Sequence, residues 1–212
     1  MGIDIGPVEV TDGIVYQIDP ANPRSYSGSG TTIGPIFAAT GSSLVNGVLY
    51  SSNNNGYFNF DGVNDYIQFS LPALLNWSFS FWIYNHTVPN LTEKQLLSTY
   101  TDPTGLSMVF QKYNIWNGVS NFSTASIAQS TWINLVFTNT GFSNSAIYIN
   151  GALDSSFASG NQIYSGPAQL LAINGTSRNT QAYLGNFIAY NRTLSSREVL
   201  QNYIATKRRY GL

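Results

Sequence analysis

Apolar and polar residues alternate in short runs along most of the chain, and clusters of Gly, Pro and Asn separate the runs. That is the pattern of an antiparallel sandwich or barrel. Ile14 to Asp19 (IVYQID) predicts a first strand, stopped by Asp19-Pro20 and the turn-rich stretch behind it. A weaker strand is expected around Leu44 to Tyr50, before the loop SSNNNG, and YFNFDGVNDYIQF predicts two strands meeting near Gly62. Trp77 to Tyr84 (WSFSFWIY) alternates most strongly. Trp77, Phe79, Phe81 and Ile83 fall on one face, Ser78, Ser80, Trp82 and Tyr84 on the other. Leu106 to Trp116 predicts a further pair of strands, and Leu170 to Asn174 and Tyr183 to Tyr190 two more. Thr131 to Thr138 is apolar enough for burial on both faces. Within Ala146 to Leu153, Asn150-Gly151 supplies the positive φ of a type I′ hairpin.

The period changes after Asn191. Ser195 is placed as a helix N-cap, Glu198 completes a capping box three residues on, and Leu194 and Val199 take the staple positions. Val199, Leu200, Tyr203 and Ile204 form one apolar stripe, so a single short helix over 195–207 is expected to dock on the sandwich. No linker or long-period repeat interrupts the chain. The expected organisation is one domain over 1–212 with an N-terminal arm over 1–10.

Composition narrows the chemistry. The 212 residues include no Cys and one His, His86, which excludes disulfides, thiolate metal sites and multi-His sites. Charged residues are 9% and the net charge is -1, which removes the electrostatic drive for nucleic-acid binding. No apolar stretch reaches the roughly 18 residues of a membrane span. MGIDIGPVEV has neither the basic nor the apolar region of a secretory signal, so synthesis in a cytoplasm without export is expected. The basic residues Arg192, Arg197, Lys207, Arg208 and Arg209 gather at the end, where they are expected to complement the helix C-terminus.

FNFDGVNDYIQF, WSFSFWI, TWINLVFT, AIYINGAL and LGNFIAYNRTLSSREVLQNY, in that order, resemble the successive signatures of the laminin-G-like branch of the concanavalin A-like lectin and glucanase superfamily. The opening IVYQIDPANPRSYSGSGTT is similar to the start of many phage-encoded members. One stretch departs, because IGPIFAATGSS stands where relatives usually carry Trp-x-Asp-Leu-Ser-Gly-Asn-Gly-Asn. The resemblance implies an all-β, two-sheet antiparallel jelly-roll sandwich with one short C-terminal helix. It also implies a superfamily whose members bind glycans, hydrolyse them, or do neither, so the residues must decide.

Glycoside hydrolysis needs two carboxyls flanking the scissile bond. The Glu-x-Asp-x-x-Glu strand of the jelly-roll glucanases is absent, Glu9, Glu93 and Glu198 are scattered, and no GxSxG elbow presents a serine to His86. A non-enzyme is expected. The resemblance implies Ca²⁺ as a possible cofactor, with Asp61 and Asp65, and Asn64 between them, as candidate ligands. Six or more oxygens are needed, however, and DGVND is also an ordinary turn, so no obligatory cofactor is expected. Glycan binding asks for aromatic faces flanked by amides and hydroxyls. Tyr84 and His86 in IYNHT, and Tyr113 and Trp116 in KYNIWNG, are the candidates. The competing reading is that these rings cover one sheet from the other. The expected role is a structural protein of a phage virion exterior, a capsid decoration or a fibre- or tail-associated module. Its partners would be other virion proteins and further copies of itself, with Met1 to Val10 and Lys207 to Leu212 as docking segments. The alternative is a stand-alone glycan-binding adhesin of a cell surface. Neither a nucleic acid nor a membrane is expected as partner.

Overall fold

In the computed structural model the alternating runs become sixteen strands among the described residues, which are 7–37, 41–99, 102–116, 118–141, 143–158, 162–175 and 177–212. Sheet I contains β1 (Ile14–Ile18), β4 (Leu49–Ser51), β5 (Tyr57–Asp61), β7 (Asn76–Asn85), β12 (Trp132–Thr140), β13 (Asn144–Ile149), β14 (Ala152–Ala158) and β16 (Gln181–Tyr190). Its order is β14-β13-β12-β7-β16-β5-β4, and β1 pairs the later half of β16 beyond β5. Sheet II contains β2 (Thr32–Ile33), β3 (Ser42–Val45), β6 (Tyr66–Leu74), β8 (Lys94–Thr99), β9 (Asp102–Val109), β10 (Lys112–Trp116), β11 (Ser120–Phe122) and β15 (Tyr164–Leu170), in the order β11-β10-β9-β8-β15-β6-β3-β2. Every named pairing is antiparallel. The two sheets form the jelly-roll sandwich that the resemblance implied.

The core lies between the sheets and is filled by alternate residues from both. Sheet I sends in Trp77, Phe79, Phe81 and Ile83 from β7 and Leu135 and Phe137 from β12, and sheet II sends in Ile67, Phe69, Leu106, Met108 and Leu170. The face assignment read from WSFSFWIY holds, and β12 is buried on both faces over all but its last residue. The Asn150-Gly151 hairpin also forms, with φ of 51° and 81° between the paired Ile149 and Ala152.

Several elements differ from the sequence expectation. Leu44 to Tyr50 is two strands in different sheets, because Asn46 and Gly47 take φ of 64° and 104° and turn the chain from β3 into β4. The two strands of YFNFDGVNDYIQF likewise belong to opposite sheets. β8 shows no alternation in KQLLST because a bulge between Gln95 and Leu97 turns both Leu96 and Leu97 into the core. Leu170 to Asn174 is not a strand. β15 runs earlier, through Ser165-Gly166-Pro167, where Gly166 forms a bulge at φ 73° and Pro167 pairs β6 at a position that the pairing with β8 does not reach. Leu171 then turns out of the sheet at φ 66°.

Helix α1 (Ser196–Thr206) begins with the expected capping box, Glu198 N–H donating to Ser195 Oγ and Ser195 N–H to Glu198 Oε2. Arg192 donates to both Glu198 oxygens at 3.2 and 2.7 Å, and this pairing holds the carboxyl down at about 2. The apolar stripe is corrected in part. Val199 is buried, but Leu200 and Ile204 stay 44% and 40% exposed, because the helix docks through a polar residue. Buried Asn202 accepts from Val10 N–H at 2.7 Å and donates to the Tyr190 hydroxyl at 3.0 Å.

The expected basic complement to the helix C-terminus is corrected: Arg192 and Arg197 lie at the N-terminal end of α1, its last turn holds no basic residue, and Lys207, Arg208 and Arg209 fall in the 3₁₀ turn that follows. Arg209 donates to Asp19 at 2.7 Å, to the Gly56 carbonyl at 2.9 Å and to the Asn54 carbonyl at 3.1 Å, tying the 3₁₀ turn Lys207–Tyr210 to the loops around β1 and β5. At the other end Gln201 donates to the Val8 carbonyl, the Tyr190 hydroxyl to the Val10 carbonyl, and Asn186 to Glu9 Oε1. Of the two expected docking segments, Val8 to Val10 and Arg209-Tyr210 are engaged by the domain itself. Residues 1–6 lie outside the described residues.

Burial pushes the Glu9 carboxyl up to about 7, with Asp19 adding to the rise and Arg209 and the Asn186 amide opposing it. Below the ordinary value of 4.5 the group is protonated in folded and unfolded chains alike, whereas above about 7 only the folded chain carries a poorly hydrated charge. On this account Glu9 costs stability progressively as pH rises through that window. Glu9→Gln is expected to melt with the wild type near about pH 4 and above it near about pH 8, as measured by thermal denaturation.

Candidate functional site

The outer faces of the two sheets have opposite chemistry. On sheet II, cross-strand pairing lines up Ser43, Gln68, Gln169 and Ser98, and beside them Gln95, Ser107 and Asn114, as a row of amides and hydroxyls. Gly105 leaves the space in which the Gln95 amide lies across the sheet and donates to the Leu97 carbonyl. The middle of this row is roofed by the β15–β16 loop. Ser98 donates to the Ala172 carbonyl, Gly175 N–H to Gln169, Thr180 to the Gln95 carbonyl, and Gln95 N–H to the Arg178 carbonyl.

Beside that roof, toward β11, the face opens into a cleft of about 660 Å³. Asn114 and Trp116, alternate residues of β10, line it together with Ser120 from β11. Phe110, from the turn between β9 and β10, lines it at 55% exposure. The opposite wall is Leu91 to Glu93 and, from the roof loop, Ile173 and Arg178. Arg178 pairs with Glu93 at 2.5 Å, and the Arg178 side chain is 47% exposed, so donors and acceptors face the cleft side by side. Asn114 is fixed from behind, accepting from Asn121 N–H and donating to Ser107. A second hollow of about 370 Å³ lies at the other end of the same face, over Ser43, Gln68 and Pro167.

The four glycan candidates part company here. Trp116 stands in the cleft. Tyr113 is fully buried in the core, its hydroxyl accepting from Asn85 at 3.1 Å, and it presents no face to a ligand. Strand parity carried this signal, because Tyr113 alternates with core-facing Ile115 and Trp116 with Asn114 and Lys112. Tyr84 and His86 lie across the molecule, on the outer face of sheet I, in a ladder of rings. Tyr57 stacks on Tyr183 at 4.3 Å, Tyr183 on Tyr84 at 5.2 Å, and Trp132 stands edge-on to Tyr84 at 5.8 Å. Tyr84 is thus stacked on one neighbour and met by another, and His86 meets Tyr183 edge-on at 4.2 Å. Burial holds the His86 imidazole below the ordinary His value. Both residues are half-buried and packed among other rings, away from the cleft on sheet II. Sequence reading missed Phe110, Glu93 and Arg178, which come from loops that only the fold brings together.

The Asp61 and Asp65 carboxylates act as turn caps within one loop. Asp65 Oδ2 accepts from Asp61 N–H, and Asp61 Oδ1 from Val63 N–H. The Asn64 and Asp65 carbonyls accept from Asn46 and Asn179. Asp65 Oδ1 remains buried without a partner, and burial pushes this carboxyl up. With only two carboxylates present, and Asp65 Oδ2, Asp61 Oδ1 and the two carbonyls already accepting hydrogen bonds, the residues present do not fit Ca²⁺, which takes about six to eight oxygens. Among the described residues no group of three or more His, Asp or Glu could hold a metal.

A two-sheet jelly roll with a polar cleft on one face is the architecture of a lectin-like domain. The laminin G family model of the concanavalin A-like lectin/glucanases superfamily matches residues 60–200, and the chain belongs to that family. No curated protein matches it. Among solved structures, the botulinum neurotoxin type G receptor binding domain is similar at 20% identity and a TM-score of 0.67, covering 91% of this chain and 51% of that one. Trypanosoma rangeli sialidase is similar at 15% identity and a TM-score of 0.69, covering 94% of this chain and 34% of that one. This chain therefore spans about half or a third of those chains, and at such identities the likeness is one of fold.

Proposed function

We propose that this domain is a non-catalytic carbohydrate-recognition module that binds a polyhydroxylated ring in the cleft over β9, β10 and β11. One observation carries the reading: the rings of Trp116 and Phe110 and the Arg178–Glu93 pair converge on one cleft in a chain that is only 9% charged. Aromatic faces take the apolar side of a sugar ring, and a paired donor and acceptor match its hydroxyls. The non-catalytic assignment is supported by the lining, in which Glu93 is the sole carboxylate among the described residues, whereas hydrolysis uses two. A receptor-binding domain among the fold neighbours agrees with a recognition role.

A second reading concerns where the module works. The opening IVYQIDPANPRSYSGSGTT, similar to phage-encoded members, favours display on a virion exterior, with other virion proteins and further copies of the chain as partners. Co-sedimentation with particles at fixed stoichiometry tests it, and recovery of the protein only in the particle-free fraction of a lysate rejects it.

Affinity electrophoresis through gels containing dextran, galactomannan or xylan tests the cleft. The wild type is expected to be retarded by at least one of them. Trp116→Ala is expected to lose about 2 kcal/mol of binding, the scale of a central aromatic anchor, or roughly thirtyfold in affinity. Tyr84→Ala is expected to migrate as the wild type. Equal retardation of wild type and Trp116→Ala rejects the assignment.

A further inference from the structure

Building on the reading of the cleft as a carbohydrate site, we infer that Phe110 and Arg178 are its specificity-determining residues, held in left-handed backbone so that the cleft selects an uncharged sugar over an acidic one. Ten described non-glycine residues have positive φ, and five of them are Asn, the residue type that tolerates this conformation best. Of the other five, Phe110 at 52° and Arg178 at 54° both line the cleft. A third, Leu171 at 66°, starts the loop that carries Arg178. Strain of this kind collects where a side chain must be held in one place.

The chain contains its own control. Asn150-Gly151 and Phe110-Gln111 are both two-residue hairpin turns with positive φ at each position. The first has the residues that a type I′ turn favours and the second does not. The unfavourable turn is held from outside, Phe110 N–H donating to the Asn90 carbonyl and Gln111 N–H to the Pro89 carbonyl, each at 2.8 Å. Core packing does not explain the phenylalanine. It is 55% exposed and meets Phe122 edge-on at 6.0 Å, leaving the rest of the ring to the cleft.

Arg178 sets the charge preference. Its guanidinium is already paired with Glu93, so the wall has donors and acceptors but no net charge. Adjacent sugar hydroxyls each donate and accept, and such a pair suits them. A ligand carboxylate approaching Arg178 instead meets Glu93 and is repelled.

Two readouts on Phe110→Asn, with Trp116→Ala as reference, test the inference. In thermal denaturation without ligand, Phe110→Asn is expected to melt above the wild type, because Asn relieves the turn. In the gels described above it is expected to bind at least several-fold more weakly. The wild type is expected to be retarded by a neutral polysaccharide and not by alginate, and Glu93→Gln to acquire retardation by alginate. A lower melting temperature for Phe110→Asn overturns the inference, as does wild-type retardation by alginate. If Phe110→Asn binds as the wild type while Trp116→Ala does not, the inference fails and the cleft stands. If Trp116→Ala also binds as the wild type, the cleft reading fails and takes this inference with it.

Discussion

Tyr210→Ala is expected to destabilise the protein by about 3–5 kcal/mol, the range for deleting a large buried ring, although the residue is third from the end of the sequence. Its ring is buried between two others, stacked on Trp82 at 4.1 Å and tilted against Trp132 at 4.8 Å. Its hydroxyl accepts from Asn186 N–H at 3.0 Å. Gly185 is the reason it fits, since a Cβ there would overlap the phenol. Removing the ring leaves a cavity, an unpartnered backbone N–H and two tryptophans open to water. At roughly 2–4 °C per kcal/mol for a domain of this size, the melting temperature should fall by on the order of 10 °C. Tyr210→Phe, which keeps the stack and loses only the hydroxyl, should fall by much less. A small and equal shift for both variants would show that the last turn is not part of the cooperative fold.

Phe187→Ala is expected to cost a similar amount, for a different reason. A bulge in the pairing of β16 with β7 sets Phe187 at the centre of the sandwich. There it meets Phe79 and Phe81 from its own sheet at 6.2 and 4.9 Å, Tyr16 from β1 at 6.1 Å, and Phe69 from the opposite sheet at 5.8 Å. No backbone rearrangement can fill such a gap, because rings from both sheets define its walls. Chemical denaturation should show a lower midpoint with an unchanged slope. A loss below about 1 kcal/mol would mean that the two sheets close over the cavity.

The sequence features that proved legible are local ones. Alternation in WSFSFWIY, the apolar run TWINLVFT, the Asn150-Gly151 turn and the Ser195–Glu198 capping box each depend on residues within one element, and each is found as expected. Sheet membership was not legible, because a strand's own pattern does not name its partner. β5 and β6 look like one hairpin in sequence and lie in opposite sheets. Bulges were hidden for the same reason: they change the parity of β8 and β15 where a neighbouring strand, not the segment itself, sets the register. The candidate site was half legible. Trp116 could be named because aromatic and amide residues gather around it. Glu93 and Arg178 could not, since 85 residues separate two side chains that form one ion pair.

The central claim, that a sugar binds in the cleft on sheet II, is tested most directly by the indole N–H signals in a nitrogen-15 NMR spectrum. The chain has four tryptophans, and they report on different places. Trp116 lines the cleft, Trp77 is sealed in the core with its N–H donated to the Gln162 carbonyl, and Trp82 and Trp132 belong to the ring cluster on sheet I. Titration with oligosaccharides of whichever neutral polysaccharide retards the protein should move the Trp116 signal and leave the other three in place. Movement of Trp82 or Trp132 with Trp116 unmoved would put the ligand on the opposite face and contradict the account.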